Sequence, residues 1–417
     1  MANFLKGEKE MRFVADFHIH SKYSRATSSD MNLENLSSWA KLKGIKLLGT
    51  GDFTHPLWFA ELKDNLKEDN YGIYDYNGVK FILTTEISHI YNQDNKVRRI
   101  HLLIFSPSLE ISYKINRTLE KFGNLNSDGR PTFGLNIKEL LPLLWEISEE
   151  IYVIPAHIWT PWYSLFGSQS GFDSLEEAFG EYSKKIFAGE TGLSSDPPMN
   201  WRLSSLDRIC LISNSDAHSP NRLGREANVF DCEINYKEIF NAIKNQDKKK
   251  FLFTIEFFPE EGKYHFDGHR NCNIVLSPKE SKKLNNICPV CNKPLTIGVA
   301  HRVEDLADRS EDYIPKDKIP FKNLVPLEEI IAQALNKDVS SPFVQKEYLR
   351  IVSTLDNEIN ILMEVPLEDI KNVAGFKISE GVRLMREGKI KVEPGYDGVY
   401  GRVKIFPDDE KTQLSLF

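Results

Sequence analysis

The chain lacks several features that would each assign it to a class of proteins. None of the apolar runs in its 417 residues approaches the roughly 20 residues of a membrane helix, and its polar N-terminus has no apolar signal-peptide core. Its five cysteines are too few for a disulfide scaffold and indicate a reducing compartment, the cytoplasm. The net charge of -7 does not suggest a general affinity for nucleic acid, although net charge describes a metal-loaded site poorly.

Strand-like and helical segments alternate over the first 258 residues. Amphipathic patterns such as those of residues 33–43 and 137–149 predict helices between short apolar runs that predict strands. This alternation is typical of a parallel sheet, and the number of repeats favours an α/β barrel. The predicted strands cover residues 12–17, 46–49, 80–83, 100–105, 151–154, 208–212 and 251–255.

The composition changes after this region. Residues 259–305 are rich in proline and glycine and hold three of the five cysteines, which predicts a small metal-binding module. Helical patterns dominate residues 324–406, so we expect a C-terminal helical domain that ends in a strand-like run. The predicted organisation is therefore an α/β domain at 11–258, a zinc-binding domain at 259–305, a helical domain at 324–406 and a flexible tail at 407–417.

Candidate metal ligands stand close behind the predicted strands. His18 and His20 follow the first strand and, one residue apart, point to the same side. Polar residues at strand ends are typical of barrel active sites and are poorly explained by core packing. Imidazoles and carboxylates together suit zinc, manganese or iron, whereas His89 is interpreted as a core residue. The candidate ligands are His18, His20, Asp52, His55, Glu86, His101, His157, Asp216 and His218.

A second metal site is predicted from cysteine spacing. His269-x-x-Cys272 followed by Cys288-x-x-Cys291 has the spacing of a structural zinc site. His269 fits best as the fourth ligand, with His265 and His301 as alternatives, while Cys210 and Cys232 are expected in the core. Seven lysines and arginines stand against two acidic residues between positions 263 and 302, which suits either a phosphate backbone or an ordinary solvated surface.

The order His-x-His, Asp, Glu, His, His, Asp-x-His resembles the PHP superfamily of metal-dependent phosphoesterases. The resemblance implies a distorted (β/α)7 barrel with two divalent ions of zinc, manganese or magnesium, and a third in some members. It implies His18, His20, Glu86 and Asp216 around the first ion, Glu86, His101 and His157 around the second, and His218 at the third. The third site is incomplete, because Arg25 stands where a ligand is usual. Arg25 would then either touch phosphate or form a surface ion pair.

Longer strings resemble the endonuclease Q family of DNA-repair nucleases over residues 12–406. They include Gly-Thr-Gly-Asp-Phe-Thr-His-Pro at 49–56, His-Ile-Trp-Thr-Pro-Trp at 157–162, Cys-Pro-Val-Cys at 288–291 and Glu-Pro-Gly-Tyr-Asp-Gly-Val-Tyr-Gly at 393–401. The resemblance implies two-metal hydrolysis of the phosphodiester 5′ to uracil, hypoxanthine, xanthine or an abasic site. A small-molecule phosphomonoesterase and a non-catalytic DNA-binding scaffold remain as alternatives.

Several residues are predicted to act on the DNA itself. Trp159, Trp162, Tyr163 and Phe166 follow His157 and are expected either to wall the pocket of a flipped nucleotide or to pack on the barrel rim. The predicted catalytic residues are Asp216 and Glu86, with Arg25, Arg202 or His218 neutralising charge on the phosphate, and Arg270 is expected to contact substrate. The end of the chain, residues 413–417, resembles a sliding-clamp-binding peptide, although the match is short and a frayed terminus is the favoured interpretation.

Overall fold

The computed structural model describes residues 11–407. Its strands are β1 (Arg12–Asp16), β2 (Leu47–Gly49), β3 (Lys67–Asn70), β4 (Ile73–Tyr76), β5 (Val79–Gln93), β6 (Lys96–Ser106), β7 (Thr132–Phe133), β8 (Tyr152–Pro155), β9 (Ala188–Glu190), β10 (Cys210–Ile212), β11 (Ala227–Asp231), β12 (Phe251–Glu256), β13 (Asp267–His269), β14 (Ile274–Leu276), β15 (Phe321–Asn323), β16 (Lys391–Glu393) and β17 (Arg402–Lys404). Its helices are α1 (Leu33–Lys43), α2 (Pro56–Asn65), α3 (Leu109–Leu119), α4 (Ile137–Ile147), α5 (Leu175–Phe179), α6 (Pro197–Trp201), α7 (Tyr236–Lys244), α8 (Pro278–Lys283), α9 (Val299–Leu306), α10 (Leu327–Leu335), α11 (Pro342–Thr354), α12 (Glu358–Met363), α13 (Leu367–Ala374) and α14 (Phe376–Arg386).

Seven strands form a distorted barrel in the order β1, β2, β5, β6, β8, β9 and β10. The pairs β1–β2, β2–β5 and β9–β10 are parallel, whereas β5–β6 and β6–β8 are antiparallel. Single contacts complete the ring: Ile158 N donates to Glu190 O at 3.0 Å between the ends of β8 and β9, and Ile19 bridges Ala217 between β1 and β10. The α/β barrel class is therefore confirmed, but its sheet is mixed.

The antiparallel strands arise from a hairpin that the sequence pattern did not reveal. Asp94 and Asn95 join β5 to β6 with φ values of 52° and 60°, and Gln93 pairs directly with Lys96. Two consecutive left-handed residues are the signature of a tight hairpin turn. The parallel sheet that the alternation predicted is therefore interrupted here by an antiparallel pair.

The last predicted barrel strand lies outside the ring. β12 pairs with β11, which extends the sheet beyond β1, and β15 adds a further strand to β12. The seventh strand of the barrel is instead β9, which has three residues and is too short to give a recognisable apolar pattern. Within the barrel, Phe13 and Ala15 of β1 and the following Phe17 belong to one buried cluster, which also contains the two non-ligand cysteines, Cys210 and Cys232, as predicted.

The two remaining regions pack against the barrel. In the cysteine-rich segment, Arg302 Nε donates to the backbone oxygen of Phe166 in the loop after β8 at 3.0 Å, and Phe266 bridges Tyr396, so the turn before β17 is joined to this module. In the helical region, the Lys43 ammonium of α1 donates to Glu358, a buried carboxylate that also accepts from the Tyr348 hydroxyl at 2.7 Å. Within residues 11–407, no helix is long and apolar enough to cross a membrane, and the predicted clamp-binding peptide lies outside the described residues.

Candidate metal centre and nucleic-acid surface

Side chains from five barrel strands meet in a buried cluster at one end of the barrel. They are His18 and His20 after β1, Glu86 in β5, His101 in β6, His157 after β8 and Asp216 after β10. Their ligand atoms form two groups, each with all atoms within 4.8 Å of one another: His18, His20, Glu86 and Asp216 in one, and Glu86, His101 and His157 in the other. The geometry therefore brings together the two ligand sets that the resemblance implied.

Glu86 is shared by the two groups. Its Oε1 lies 2.6 Å from Nδ1 of His101 and 2.9 Å from Nε2 of His157. Its Oε2 lies 3.2 Å from Nε2 of His20. A carboxylate whose two oxygens face different sets of imidazoles has the arrangement needed to bridge two metal ions.

Three buried atoms in the first group have no hydrogen-bond partner among the described residues. They are Nε2 of His18, Nε2 of His20 and Oδ1 of Asp216. Leaving buried polar atoms without partners costs free energy, so such atoms point to a bound species. Because the donors are imidazole nitrogens and carboxylate oxygens, they fit a divalent cation.

Carboxylates contact His18 and His20 at Nδ1, on the side of each ring away from the ligand nitrogen Nε2. Nδ1 of His18 lies 3.0 Å from both oxygens of Glu190, and Nδ1 of His20 lies 3.0 Å from Oδ1 of Asp52. Such contacts fix the tautomer and the ring orientation of a metal-ligating histidine. The prediction that Asp52 is a ligand is therefore corrected: its second oxygen accepts hydrogen bonds from Ser21 and Ser24, so the side chain supports His20.

Glu190 is a site residue that the motif analysis did not assign. It also accepts hydrogen bonds at 2.8 Å from Nδ2 of Asn214 and from the backbone N–H of His157. One carboxylate thus connects β9 to ligands from β1 and β8. The available signal was the position of Glu190 at a strand end, but the strand was too short to recognise.

The backbone is strained at three residues of the cluster. Asp52, His157 and Asp216 have φ values of 48°, 30° and 48°, in the left-handed region that residues other than glycine rarely adopt. Gly192 packs so closely on His157 that an added Cβ would lie 2.4 Å from the His157 Cβ. Such strain clusters at functional sites, where the surrounding structure imposes it.

Three further predicted residues lie outside the two ligand groups. His55 stacks on Tyr23 with ring centroids 4.4 Å apart. The ring of His218 lies 4.5 Å from that of His20, and its Nδ1 contacts the backbone oxygen of Asp216 at 2.8 Å. Arg25 is 83% exposed and lies 3.5 Å from Asp128, which corresponds to the ion-pair alternative. No group of three or more ligands forms around His218 within the described residues.

Arg130 is a second site residue that the sequence did not reveal. Its Nη1 donates to Oε2 of Glu86 at 3.0 Å. The residue lies in the loop before β7, where nothing in the local sequence distinguishes it from a surface arginine. The structure places its guanidinium beside the carboxylate that the two ligand groups share.

The pKa values of histidines in this cluster shift in opposite directions. Burial would lower the pKa of His18, but Glu190, Glu86 and Asp216 raise it well above its ordinary value. For His101 burial prevails over Glu86 and lowers the pKa to about 4. Burial raises the pKa of Glu86, but His101 and Arg130 outweigh it and hold that pKa well below the usual range. The carboxylate is therefore ionised, which a metal ligand must be.

The cysteine cluster forms a separate four-ligand group. His269 at the end of β13, Cys272, Cys288 and Cys291 have ligand atoms within 4.8 Å of one another, and all five cysteines of the chain are free thiols. Burial raises the pKa of Cys288, but hydrogen bonds from the backbone of Cys291 and Val290 lower it to about 7. The four residues can hold one tetrahedral metal ion.

The alternative fourth ligands are engaged elsewhere. Nδ1 of His301 lies 2.5 Å from Asp267. His265 is buried and stacks on Phe266 with ring centroids 5.1 Å apart. Neither belongs to the cysteine group, so His269 is the histidine that the geometry selects.

The aromatic loop after His157 divides into buried and exposed residues. Trp159 and Phe166 are 1% and 0% exposed and pack on each other, so the prediction that they contact substrate is corrected to the rim-packing alternative. Trp162 is 46% exposed. The ring of Tyr163 lies 4.8 Å from that of His101, so this loop carries an exposed aromatic surface up to the metal centre.

The predicted arginines have different surroundings. Arg202 donates to Glu304 of α9 at 2.5 Å and is mostly buried, so it joins the barrel to the cysteine module. The prediction that Arg202 contacts phosphate is therefore corrected. Arg270 makes no side-chain ion pair within the described residues. Its backbone N–H donates to Asp397 at 2.7 Å, which leaves the guanidinium available.

A distorted seven-stranded α/β barrel, with histidines grouped around a shared carboxylate at one end, defines a candidate metal-dependent hydrolase. The whole chain is similar to the crystal structure of the lesion-specific endonuclease PfuEndoQ from Pyrococcus furiosus, with 34% identity, a TM-score of 0.85, and coverage of 97% of this chain and 99% of that one. The chain belongs to the endonuclease Q family.

A second solved structure agrees with this assignment. Endonuclease Q in complex with a 27-mer duplex substrate, with an abasic lesion at the active site, is 35% identical, with a TM-score of 0.83 and coverage of 95% of this chain and 97% of that one. The chain is also 34% identical to the uncharacterized protein MJ0043 of Methanocaldococcus jannaschii over 256 residues. The matched region is 60% of this chain and only 31% of the length of that protein. Residues 326–389 match the family described as the MJ0043 C-terminal domain.

Proposed function

We propose that this chain is a DNA-repair endonuclease that hydrolyses the phosphodiester 5′ to a deaminated base or an abasic site. Uracil, hypoxanthine and xanthine are the proposed bases. The observation that carries the proposal is the full-length likeness to an endonuclease Q seen with an abasic lesion at its active site. It is supported by the two ligand groups around Glu86.

Two divalent ions, of zinc, manganese or magnesium, are proposed for this centre. His18, His20, Glu86 and Asp216 would hold one, and Glu86, His101 and His157 the other. When bound, such ions supply activation of water and neutralisation of charge on the phosphate. A third ion is not part of the proposal, because no group of three or more ligands forms around His55 or His218 among the residues that the structure describes, and Arg25 lies at the surface.

The chain itself positions these groups. Glu190 and Asp52 hold the Nδ1 sides of His18 and His20, so both Nε2 atoms point toward the shared carboxylate. His218 lies beside His20 and is partly exposed, where it can hydrogen-bond a phosphate oxygen. Most of these contacts exist before substrate binds, so the site requires little reorganisation.

Zinc is proposed for the cysteine group, in a structural role. Three cysteines and one histidine form a closed donor set of the kind that structural zinc occupies. The thiols lie in a module whose strands have three residues each, too small to be stable on a hydrophobic core alone. Cysteines arranged for metal rather than for disulfides fit a reducing compartment, which we propose is the cytoplasm.

The DNA would lie across the junction of the barrel, the module and the C-terminal turn. Trp162 contacts Tyr264 edge-on at 6.3 Å, and the Lys263 ammonium lies 5.7 Å from the rings of both Tyr264 and Tyr400. Exposed aromatic faces beside cations suit unstacked bases and phosphates. A nuclease that inspects a base must extrude it from the duplex, and damaged pairs open at lower cost.

Trp162→Ala should slow cleavage of a uracil-containing duplex by about tenfold, because stacking on an aromatic side chain contributes roughly 1–3 kcal/mol per base. Trp162→Phe should recover most of that loss. Phe343→Ala removes an equally exposed ring from α11 and serves as the control. Single-turnover rates on one duplex give the comparison, and an unchanged rate for Trp162→Ala would exclude the residue from the DNA surface.

Cut mapping tests the proposed function directly. A labelled duplex with one uracil, hypoxanthine or abasic site is incubated with manganese, magnesium or zinc and either wild-type protein or Asp216→Ala. We expect one metal-dependent cut 5′ to the lesion, absent in the variant. Hydrolysis of an aryl phosphate without DNA nicking would favour a phosphomonoesterase, and neither activity would favour a DNA-binding scaffold. Clamp binding through residues 413–417 stays a prediction.

A further inference from the structure

The loop that carries Arg130 is fixed tightly against the metal centre. Gly129 N donates to the backbone oxygen of Tyr23 at 3.0 Å, and its own oxygen accepts from Thr54 Oγ1 at 3.2 Å. A Cβ added to Gly129 would lie 2.4 Å from Oδ2 of Asp52, so the approach requires glycine. Pro131 O then accepts from Ser88 N in β5 at 3.0 Å. The backbone on both sides of Arg130 is thus anchored to strands and loops that carry the ligands.

The Arg130 side chain has more hydrogen-bonding capacity than its protein contacts use. Its only side-chain hydrogen bond to a described residue is the one from Nη1 to Glu86 at 3.0 Å. A guanidinium has five N–H donors in a planar fork. The side chain remains 27% exposed, so an incoming group can reach the unused donors.

The ion pair with Glu86 competes with the shared role of that carboxylate. Oε2 of Glu86, which accepts from Arg130, also lies 3.2 Å from the ligand nitrogen of His20. A cation bound by His20 and Glu86 would share this oxygen with the guanidinium and weaken the ion pair of Arg130. The charge of Arg130 would then lie beside the position where a phosphate reacts.

We infer that Arg130 is a further catalytic residue, whose guanidinium binds the non-bridging oxygens of the scissile phosphate and takes the charge-neutralising role of a third metal ion. The inference rests on the proposed phosphodiester hydrolysis. Guanidinium matches phosphate oxygens in a bidentate geometry that an ammonium cannot reproduce. In this chain the third ligand set is incomplete, while Arg130 already lies beside the shared carboxylate.

Two measurements, the cleavage rate and the metal affinity, test this role together. Arg130→Ala should cut a lesion duplex about 10²–10³-fold more slowly, the usual loss when one donor to a developing oxyanion is removed. Its manganese affinity, measured by isothermal titration on metal-depleted full-length protein, should be equal to or higher than that of the wild type, because a cation has been removed from beside the ligands. Arg130→Lys should recover part of the rate.

A purely structural role would move both measurements down together, and that outcome would overturn the inference, as would an unchanged cleavage rate. Arg117→Ala, on the exposed surface of α3, is the control. Hydrolysis of bis(p-nitrophenyl) phosphate by the same variants separates the two proposals. If the wild type hydrolyses this diester but cuts no DNA, the substrate proposal fails, while the expected loss in Arg130→Ala still tests the arginine.

Discussion

Replacing Glu86 with glutamine should remove DNA cleavage and the bound catalytic metal together. Oε1 of Glu86 faces His101 and Oε2 faces His20, so the amide nitrogen of glutamine would occupy one of the two positions that need a ligand oxygen. Metal ions supply several kcal/mol of transition-state stabilisation, so we expect a loss of at least about 10³-fold in turnover. Single-turnover cleavage of a lesion duplex and elemental analysis of the dialysed protein measure the two losses.

Glu190→Gln is the matched control within the same site. Glu190 is as buried as Glu86 but contacts His18 through Nδ1, behind the ligand nitrogen. Removal of such a supporting group costs about 10–100-fold in metal affinity or activity, so this variant should fall between Glu86→Gln and the wild type. Normal metal content and normal cleavage in Glu86→Gln would contradict the assignment of Glu86 as the shared ligand.

The candidate metal ligands were predictable because most stand where a buried apolar run stops. His18 follows β1, His157 follows β8 and Asp216 follows β10, each directly or within a few residues. Glu86 was found although it does not end a strand. The threonines before it interrupt the apolar pattern, while β5 continues to Gln93. The spacing of three cysteines identified the second site for a different reason, because a metal imposes local spacing on its ligands.

Glu190 and Arg130 could not be assigned a role from the sequence because their functions depend on distant contacts. Glu190 lies 172 positions from His18, and Arg130 lies 44 positions from Glu86. Neither stands in a motif whose chemistry demands that residue type. The mixed sheet escaped prediction for a similar reason, since the strand direction after β5 depends on two turn residues, Asp94 and Asn95. The burial that separates Trp159 from Trp162 likewise emerges only from packing.

Cys291→Ala should remove one metal ion and unfold the cysteine module while the barrel stays folded. The module has short strands and a six-residue helix, α8, and structural zinc contributes roughly 10–16 kcal/mol in comparably small domains. Val299 and Val303 belong to the main hydrophobic core, so we expect the loss of order to stop before α9. Limited proteolysis should therefore cut within residues 262–298, and elemental analysis should show one ion fewer.

DNA binding should weaken in the same variant, because the module carries cations that are not neutralised by neighbours. Lys279, Lys282 and Arg302 are paired with carboxylates. Within residues 11–407, Lys263, Arg270, Lys283 and Lys293 form no ion pair and are the ones left to bind phosphates. Removing one phosphate-binding cation reduces the steepness of log affinity against log salt concentration by about 0.9. Fluorescence anisotropy at several salt concentrations should therefore show weaker binding with a flatter salt dependence.

Cys232→Ala provides the control for this experiment, because Cys232 is equally a free thiol but is buried in the barrel core. It should keep its metal and its DNA affinity. Hydrolysis of bis(p-nitrophenyl) phosphate should persist in Cys291→Ala, since the catalytic ligands lie in the barrel. Unchanged DNA affinity after loss of the ion would separate the module from the DNA surface, whereas loss of diester hydrolysis would mean that the module supports the catalytic centre as well.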